Sequence, residues 1–275
     1  MLRQRLLTVA VVLPLLLACI FLLPSFAWAL LMTIPIALAA LEWSRLAGYG
    51  RAGRALFVAT VLTSCLLLIA VTESRRFPVL EMNVATALFV LALLFWAIVV
   101  PVWLYSKWRV TQPLLLAAAG WIVLVPAWLA VVRLQQSAWL LLIVLGVVWI
   151  ADTAAYFAGH RFGRNKLAPQ ISPGKTWEGV IGAYVAVLVY ALAASLIVQP
   201  SASGYDHLAA LLFAWVLIAF GIVGDLFESW IKRQAGAKDS GQLLPGHGGM
   251  LDRIDSLTAG LPFAALYFIQ AMWSS

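Results

Sequence analysis

The sequence predicts an all-α, polytopic integral membrane protein with about nine transmembrane helices and a cytoplasmic N-terminus. Of its 275 residues, 64% are hydrophobic and only 11% are charged, whereas an ordinary soluble domain has roughly 25% charged residues. So many apolar side chains cannot all be buried in one water-soluble core, but a lipid bilayer solvates them directly. They also occur in long stretches, and the basic residues fall between those stretches.

Nine apolar stretches approach the roughly 20 residues that a membrane-spanning helix needs. They are Leu6–Leu23, Phe26–Leu41, Ala55–Thr72, Val84–Leu104, Pro113–Val132, Ala138–Gly159, Val180–Val198, Leu208–Leu226 and Leu257–Met272. Only Pro24 and Ser25 separate the first two, which predicts a tight helical hairpin. The motif Ala27-Trp28-Ala29 also resembles a signal-peptide cleavage site, but the apolar region is longer than a usual signal core, so we expect it to be retained.

The Lys and Arg residues predict the orientation. With the N-terminus inside, the outer segments contain only Arg75, Arg76 and Arg133, and the other 15 of the 18 basic residues lie in cytoplasmic segments. Membrane proteins place Lys and Arg preferentially in cytoplasmic loops, so this split favours a cytoplasmic N-terminus. The net charge of +7 is therefore explained by topology, and we expect no nucleic-acid partner.

Acidic residues are concentrated in the second half of the chain. We expect Glu42, Glu73, Glu81 and Asp206 to lie in loops or at helix ends. The other seven can all reach the cytoplasmic face, and they are Asp152, Glu178, Asp225, Glu228, Asp239, Asp252 and Asp255. Asp152 and Asp225 lie at the ends of apolar stretches, where a carboxylate costs at least ~2.5 kcal/mol and so indicates function. The alternative is a carboxylate–lysine pair that locks two helices together.

Two polar segments precede the seventh stretch. In the first, Asp152 and Tyr156 share one helix face, and Gly159 and Gly163 form a GxxxG pattern that allows close helix packing. The second contains Gly-Lys-Thr, but Pro169 stands where a P-loop requires glycine, so we reject that motif. Its candidate phosphate-binding groups are Lys175, the hydroxyls of Ser172 and Thr176, and the backbone N–H groups at the helix N-terminus. The alternative is a helix cap with a cytoplasmic lysine.

The third polar segment runs from Gly224 to Ser256. Helical spacing places Asp225, Glu228, Ser229 and Lys232 on one face, and Asp252 and Asp255 share a face at the entry to the last stretch. Carboxylates that meet from two helix ends, beside Lys and Arg, predict a divalent cation with phosphates around it. Without such a cation the carboxylates would repel each other.

This segment resembles the signature of the phosphatidate cytidylyltransferases, also called CDP-diacylglycerol synthases. The matching positions are Ser229, Ile231, Lys232, Arg233, Lys238, Asp239, Gly241, Leu244, Pro245, His247, Gly248, Gly249, Met250, Asp252, Arg253, Ile254 and Asp255. The likeness extends from about residue 148 to the C-terminus. It implies that CTP and phosphatidate react to give CDP-diacylglycerol and pyrophosphate with Mg²⁺, with potassium as a candidate second cation and a homodimer as the assembly.

The resemblance also implies that the aspartates matching Asp225 and Asp252 build the metal site. We expect catalytic roles for Asp225, Asp252, Lys238, Asp239 and His247. We expect substrate contacts from Ser172, Lys175, Thr176, Glu178, Ser229, Lys232, Arg233, Gly248, Gly249, Arg253, Asp255 and Asp152. Residues 137–275 then form the catalytic membrane region, and residues 1–136 form structural, dimer-forming or lipid-facing helices.

The predicted location is a cell inner membrane, with the active site on the cytoplasmic side. Two other functions remain open at this point. A CTP-dependent polyprenol kinase would use related chemistry but release CDP. An ion-coupled transporter would need polar residues through the membrane depth, whereas here they crowd at the cytoplasmic end.

Overall fold

The computed structural model describes residues 13–73, 78–198, 200–241 and 248–269. Within these residues the chain forms a bundle of long helices, as the hydropathy pattern predicts. A helix satisfies all of its backbone hydrogen bonds internally, which is required wherever the chain faces lipid.

The helix and strand bounds follow the apolar stretches closely. The described part of α1 is Leu13–Leu22. The following elements are α2 Ser25–Leu46, α3 Arg51–Glu73, α4 Pro78–Leu94, a π-helical turn Phe95–Val99, α5 Val100–Ser106, α6 Pro113–Leu134, α7 Ala138–Phe162, β1 Lys166–Ala168, β2 Ser172–Thr176, α8 Trp177–Val198, α9 Gly204–Gln234 and α10 Leu251–Tyr267.

Seven helices in the described part of the chain are long and apolar enough to cross a membrane, with α4, the π turn and α5 forming one of them. These seven coincide with predicted stretches two to eight, which confirms the all-α, polytopic class. The first and last predicted stretches fall on α1 and α10, and the described part of each is shorter. The total of nine spans therefore stays a prediction.

One end of the bundle gathers the loops that were predicted to be cytoplasmic. Tyr49 Oη donates a hydrogen bond to the Pro113 carbonyl at 2.6 Å, which joins the loops after α2 and before α6. Arg233 Nε donates to the Ile171 carbonyl at 3.3 Å, which joins the end of α9 to the turn between β1 and β2. We name this the signature end, because it carries the described residues of 224–256.

The opposite end gathers segments that were predicted to lie outside. Gln135 Nε2 donates to the carbonyls of Ile20 and Leu23, at 3.1 and 3.0 Å. Arg133 Nη2 donates to Thr72 Oγ1 at 3.0 Å. Three of the segments predicted to lie outside, those near Leu23, Thr72 and Gln135, are thus found together at this end.

An aromatic cluster ties α9 to the first half of the chain. The Phe227 ring lies 5.6 Å from the ring of Trp96 and 5.3 Å from that of Trp103, in edge-on geometry. Trp43 of α2 packs on the same ring at 6.2 Å. Aromatic pairs at these distances stabilise a contact beyond the area they bury. The helix that carries Asp225 is therefore fixed by side chains from residues 43–103.

Small residues bring α7 and α8 close together at the signature end. A methyl group at Gly159 would lie 3.0 Å from Thr176 Oγ1, and one at Gly179 would lie 2.8 Å from the Ala155 carbonyl. The helix contact predicted from Gly159 and Gly163 is therefore present. The two-stranded antiparallel hairpin of β1 and β2, which sequence reasoning did not predict, connects these two helices.

Candidate active site

A cavity of about 590 Å³ opens at the signature end among α7, the hairpin, α8 and α9. Its size suits a small-molecule site, since such pockets typically measure roughly 300–1,000 Å³. Its polar wall residues are Asp152, Tyr156, His160, Lys166, Ser172, Lys175, Thr176, Asp225 and Ser256. Five of these are predicted site residues, and the fold brings them together from two helices, α7 and α9, and the strand β2.

An ion pair crosses the cavity wall. Lys175 Nζ on β2 lies 2.5 Å from Asp225 Oδ2 on α9, and the two side chains are 25% and 29% exposed. Asp152 and Asp255 lie within electrostatic range of the same pair. Lys175 thus offsets part of the negative charge of three carboxylates. Because the pair is partly exposed to the cavity, both charges remain accessible to a ligand.

Two other predicted residues of this segment support the backbone. Thr176 Oγ1 accepts a hydrogen bond from Gly179 N at 3.2 Å, which is the geometry of a helix N-cap. Glu178 accepts from Asn165 Nδ2 at 2.8 Å and from Asn165 N at 3.1 Å. Both contacts tie the start of α8 to the hairpin that presents Lys175. The cap that sequence reasoning left open for Thr176 is therefore present, although Thr176 also lines the cavity.

A second ion-pair cluster lies beside the first and is more deeply buried. Lys232 Nζ lies 2.5 Å from Glu228 Oε2 and 2.6 Å from Asp252 Oδ1. The side chains of Glu228, Lys232 and Asp252 are only 4%, 11% and 13% exposed. Ser229 Oγ donates to Asp225 Oδ1 at 3.4 Å, one turn earlier on the same helix face. The predicted face of α9 is confirmed, and it joins the two clusters.

Three donors among the described residues hold Asp252. Besides Lys232, the backbone N–H groups of Ser240 and Gly249 donate to its carboxylate at 3.0 and 2.8 Å. Gly248 has a φ of +79°, and a methyl group there would lie 2.9 Å from Asp252 Oδ2. Glycine is the residue that adopts this left-handed conformation without strain, and it leaves room for the carboxylate. Gly248 and Gly249 thus shape the loop around Asp252.

The remaining predicted residues lie around this core. Arg233 Nη1 donates to the Ala237 carbonyl at 3.2 Å and so folds the chain after α9. Lys238, Asp239 and Arg253 are exposed at the same end. His247 was predicted to be catalytic, and it lies outside the described residues.

Sequence reasoning missed one acidic residue of this region. Glu42 was expected in a loop or at a helix end, but its side chain is fully buried within α2 and bonds to the signature segment. Its position just after an apolar stretch was the available signal, but nothing in the sequence pointed to its partner. His160 and Lys166, which also line the cavity, were not predicted either.

The acidic side chains fit a magnesium ion in number and kind. In the described ranges no three Asp, Glu, His or Cys residues converge on a site built from protein ligands alone. Mg²⁺ does not require one, because it usually takes one or two carboxylates and completes its octahedron with phosphate oxygens and water. Asp225 meets this need, since it faces the cavity beside a lysine that can contact phosphate. Asp252 does not line this cavity; it lies at the start of α10, where it bonds to Lys232, Ser240 and Gly249. The helix α10 packs closely on α9, since a methyl group at Gly224 would lie 2.6 Å from the Asp255 carbonyl oxygen.

The fold and site define a polytopic membrane protein whose cavity joins carboxylates, a lysine and small residues at one end of a helix bundle. This arrangement is suited to metal-assisted binding of phosphates. The chain belongs to the cytidylyltransferase family, whose model matches residues 3–270. The resemblance seen in the signature is thereby confirmed, as is the class of enzyme, a nucleotidyltransferase.

Curated proteins are similar to this chain over all or part of its length. The phosphatidate cytidylyltransferase of Pseudomonas aeruginosa is 42% identical over 288 residues, which covers 100% of both proteins. That of Haemophilus influenzae is 35% identical over 285 residues, with 98% of this chain and 99% of the relative covered. The Bacillus subtilis protein of the same name is 46% identical over 128 residues, which is 46% of each chain.

Proposed function

We propose that the protein transfers the cytidylyl group of CTP to phosphatidate, giving CDP-diacylglycerol and pyrophosphate. The observation that carries this proposal is the Lys175–Asp225 pair, which faces a cavity at the signature end of a membrane-embedded bundle. Family membership and the full-length relatives named phosphatidate cytidylyltransferase support the substrates.

The chemistry needs no protein nucleophile. Phosphatidate is an anion at neutral pH, and one of its phosphate oxygens attacks the α-phosphorus of CTP. A new phosphorus–oxygen bond forms, the bond from the α-phosphorus to the bridging oxygen breaks, and pyrophosphate leaves with that electron pair. The obstacle is repulsion between two polyanions, so the protein's task is positioning and charge neutralisation.

The chain's own cations are arranged for this task. Lys175 reaches the cavity from β2, and Lys232 holds the α9–α10 contact beside it. Arg233, Lys238 and Arg253 are exposed at the same end and would attract the triphosphate and the lipid head group. Gly248 is partly exposed and would allow phosphate to approach the backbone closely. The N–H of Gly249 is already bonded to Asp252, so the substrate contact expected of Gly249 is not supported. The acyl chains would remain in lipid between the helices.

We assign a Mg²⁺ site to Asp225 and Asp252. When bound, the ion would neutralise charge on the CTP phosphates and on the leaving pyrophosphate. Two carboxylates match the number that this ion usually takes from a protein. A second cation, for which potassium is the candidate, and a homodimer belong to the same proposal. We place the protein in a cell inner membrane, with the signature end facing the cytoplasm, because the positive-inside rule gives that orientation.

One assay separates this function from its alternatives. Purified protein is incubated with phosphatidate vesicles, Mg²⁺ and CTP labelled at either the α- or the γ-phosphate. We expect the α label in lipid and the γ label in pyrophosphate. Transfer of the γ label to a polyprenol with release of CDP would instead identify a lipid kinase. Ion flux in vesicles without either product would identify a transporter.

A further inference from the structure

Glu42 is a completely buried carboxylate in the first half of the chain. It lies on α2, near the signature end, and its side chain has no exposed surface. Burying an ionisable group is costly unless hydrogen bonds compensate. The partners of Glu42 are therefore informative about its role.

Among the residues that the structure describes, the hydrogen-bond partners of Glu42 all belong to the signature segment. Glu42 Oε1 accepts from Met250 N at 2.9 Å. Glu42 Oε2 accepts from Leu251 N at 2.8 Å and from Ser240 Oγ at 2.9 Å. Leu251 is the first residue of α10, and Met250 before it makes no side-chain cap. A carboxylate from α2 thus caps α10 and satisfies N–H groups that a helix start leaves unpaired.

The same contacts explain two glycines of the signature. A methyl group at Gly241 would lie 2.5 Å from Glu42 Oε1, and one at Gly249 would lie 2.6 Å from Glu42 Oε2. Neither glycine has a positive φ, so backbone conformation does not demand them. Their lack of a side chain makes room for the carboxylate of Glu42.

The contact continues through Ser240 to Asp252. Ser240 is buried, and its hydroxyl both donates to Glu42 and accepts from Asp252 N at 3.3 Å. Its backbone N–H donates to the Asp252 carboxylate at 3.0 Å. Glu42 therefore fixes the two segments that fix Asp252, namely the turn at Ser240 and the first residues of α10.

We infer that Glu42 is a positioning residue for the nucleotidyl transfer: it caps α10 and, through Ser240, sets Asp252 in place for the reaction. This role rests on the proposed function. It also gives residues 1–136 a part in the active site, beyond the structural, dimer-forming or lipid-facing role expected of them.

Glu42→Gln tests the role with almost no change in volume. A glutamine retains one acceptor oxygen but presents an amide N–H to donors, so at least one of its three contacts is lost. A shift of about 1 Å at a catalytic group can cost 10²-fold in rate. We expect kcat per folded molecule to fall at least tenfold, with the KM for phosphatidate changed less than threefold. Trypsin cleavage after Lys238 or Arg253, both exposed, should become faster.

Two further variants make the test specific. Ser240→Ala should lower kcat in the same direction, and adding it to Glu42→Gln should cause less additional loss than it does alone, because both act through one path. Glu81→Gln, which changes a buried acid at the opposite end of the bundle, should leave kcat per folded molecule and tryptic cleavage at these two sites unchanged.

Unchanged kcat per folded molecule in Glu42→Gln would overturn the role, whether the yield of folded protein stays normal or falls. Fully additive effects of the two substitutions would overturn the path through Ser240. If the wild type itself releases no pyrophosphate from CTP, the proposed function fails. Tryptic cleavage still tests the structural part of the inference in that case. Unchanged cleavage in Glu42→Gln would show that Glu42 does not hold Ser240 and the start of α10 in place.

Discussion

The two ion-pair clusters at the signature end differ in their access to water. Lys175 and Asp225 line the cavity and are each about one quarter exposed, at 25% and 29%. Lys232 lies between Glu228 and Asp252, and none of these three side chains is more than 13% exposed. The clusters are close in sequence and in space, since Asp225 and Glu228 lie within one turn of α9.

This difference in exposure indicates that the two clusters have different roles. A partly hydrated pair gains little net stability, because water already solvates both charges. A buried cluster cannot lose its cation without leaving uncompensated carboxylates in a poorly solvated place. We therefore interpret the Lys175–Asp225 pair as groups available to a ligand, and the Lys232 cluster as the brace that keeps α9 and α10 in register.

The largest expected effect is at Asp225. Asp225→Asn keeps the volume but removes the charge that faces the cavity, and we expect pyrophosphate release to fall by about 10³-fold or more. Asp206→Asn is the matched control, since it removes a carboxylate from the opposite end of the same helix. The control should retain activity. Near-normal turnover in Asp225→Asn, with normal membrane insertion, would contradict the assignment of the metal site.

Lys232→Met should chiefly reduce stability. It leaves Glu228 and Asp252 without their shared cation, and removing one partner of a buried pair typically costs about 3–5 kcal/mol. Unfolding of the detergent-purified protein by graded denaturant would measure this loss. A free energy of unfolding equal to that of the wild type would mean that the cluster is not a brace.

Lys175→Met should show the reverse pattern. We expect kcat/KM for CTP to fall by about 10²-fold, because a cation facing the phosphates is lost. The free energy of unfolding should change by less than about 1 kcal/mol, as for other partly exposed pairs. The same assay and the same unfolding series serve both lysines. If Lys175→Met lost as much free energy of unfolding as Lys232→Met, the interpretation that only the Lys232 cluster stabilises the helix contact would be wrong.

The smallest effect is expected from the packing between α9 and α10. Gly224→Ala places a methyl group against the Asp255 carbonyl and Ala259, and overpacking of this kind costs about 1–3 kcal/mol. Gly204→Ala on the same helix meets no atom within 4 Å and is the control. Kinetics should show a modest loss of kcat for the first variant only. Equal kcat values would show that this spacing does not affect the site.

Much of the fold could be predicted because membrane helices are encoded locally. An apolar run of the right length must form a helix in lipid, since no other partner exists for its backbone. The apolar stretch ends at Leu226, but helical spacing of the polar residues up to Lys232 predicted that the helix continues, and α9 does extend to Gln234. The β1–β2 hairpin was missed because strands of three and five residues are too short to show a period.

The candidate site was also predicted only in part, because some of its contacts are local in sequence and others are not. Helical spacing placed Asp225, Ser229 and Lys232 on one face correctly, because residues three and four apart are neighbours on any helix. Spacing could not pair Lys175 with Asp225, since the two lie on different elements and meet only when β2 packs against α9. It gave no indication of Glu42, whose partners are 198 to 209 residues away.

Composition, hydropathy and the signature by themselves determined that this chain is a helical membrane protein of the cytidylyltransferase family. Each of those properties is local, so each can be identified from neighbouring residues. Only the tertiary structure decided which charges are paired, which of them remain open to a cavity, and that a glutamate from α2 caps α10. Those outcomes depend on how whole helices pack, and packing is set by side-chain shapes that meet across the bundle.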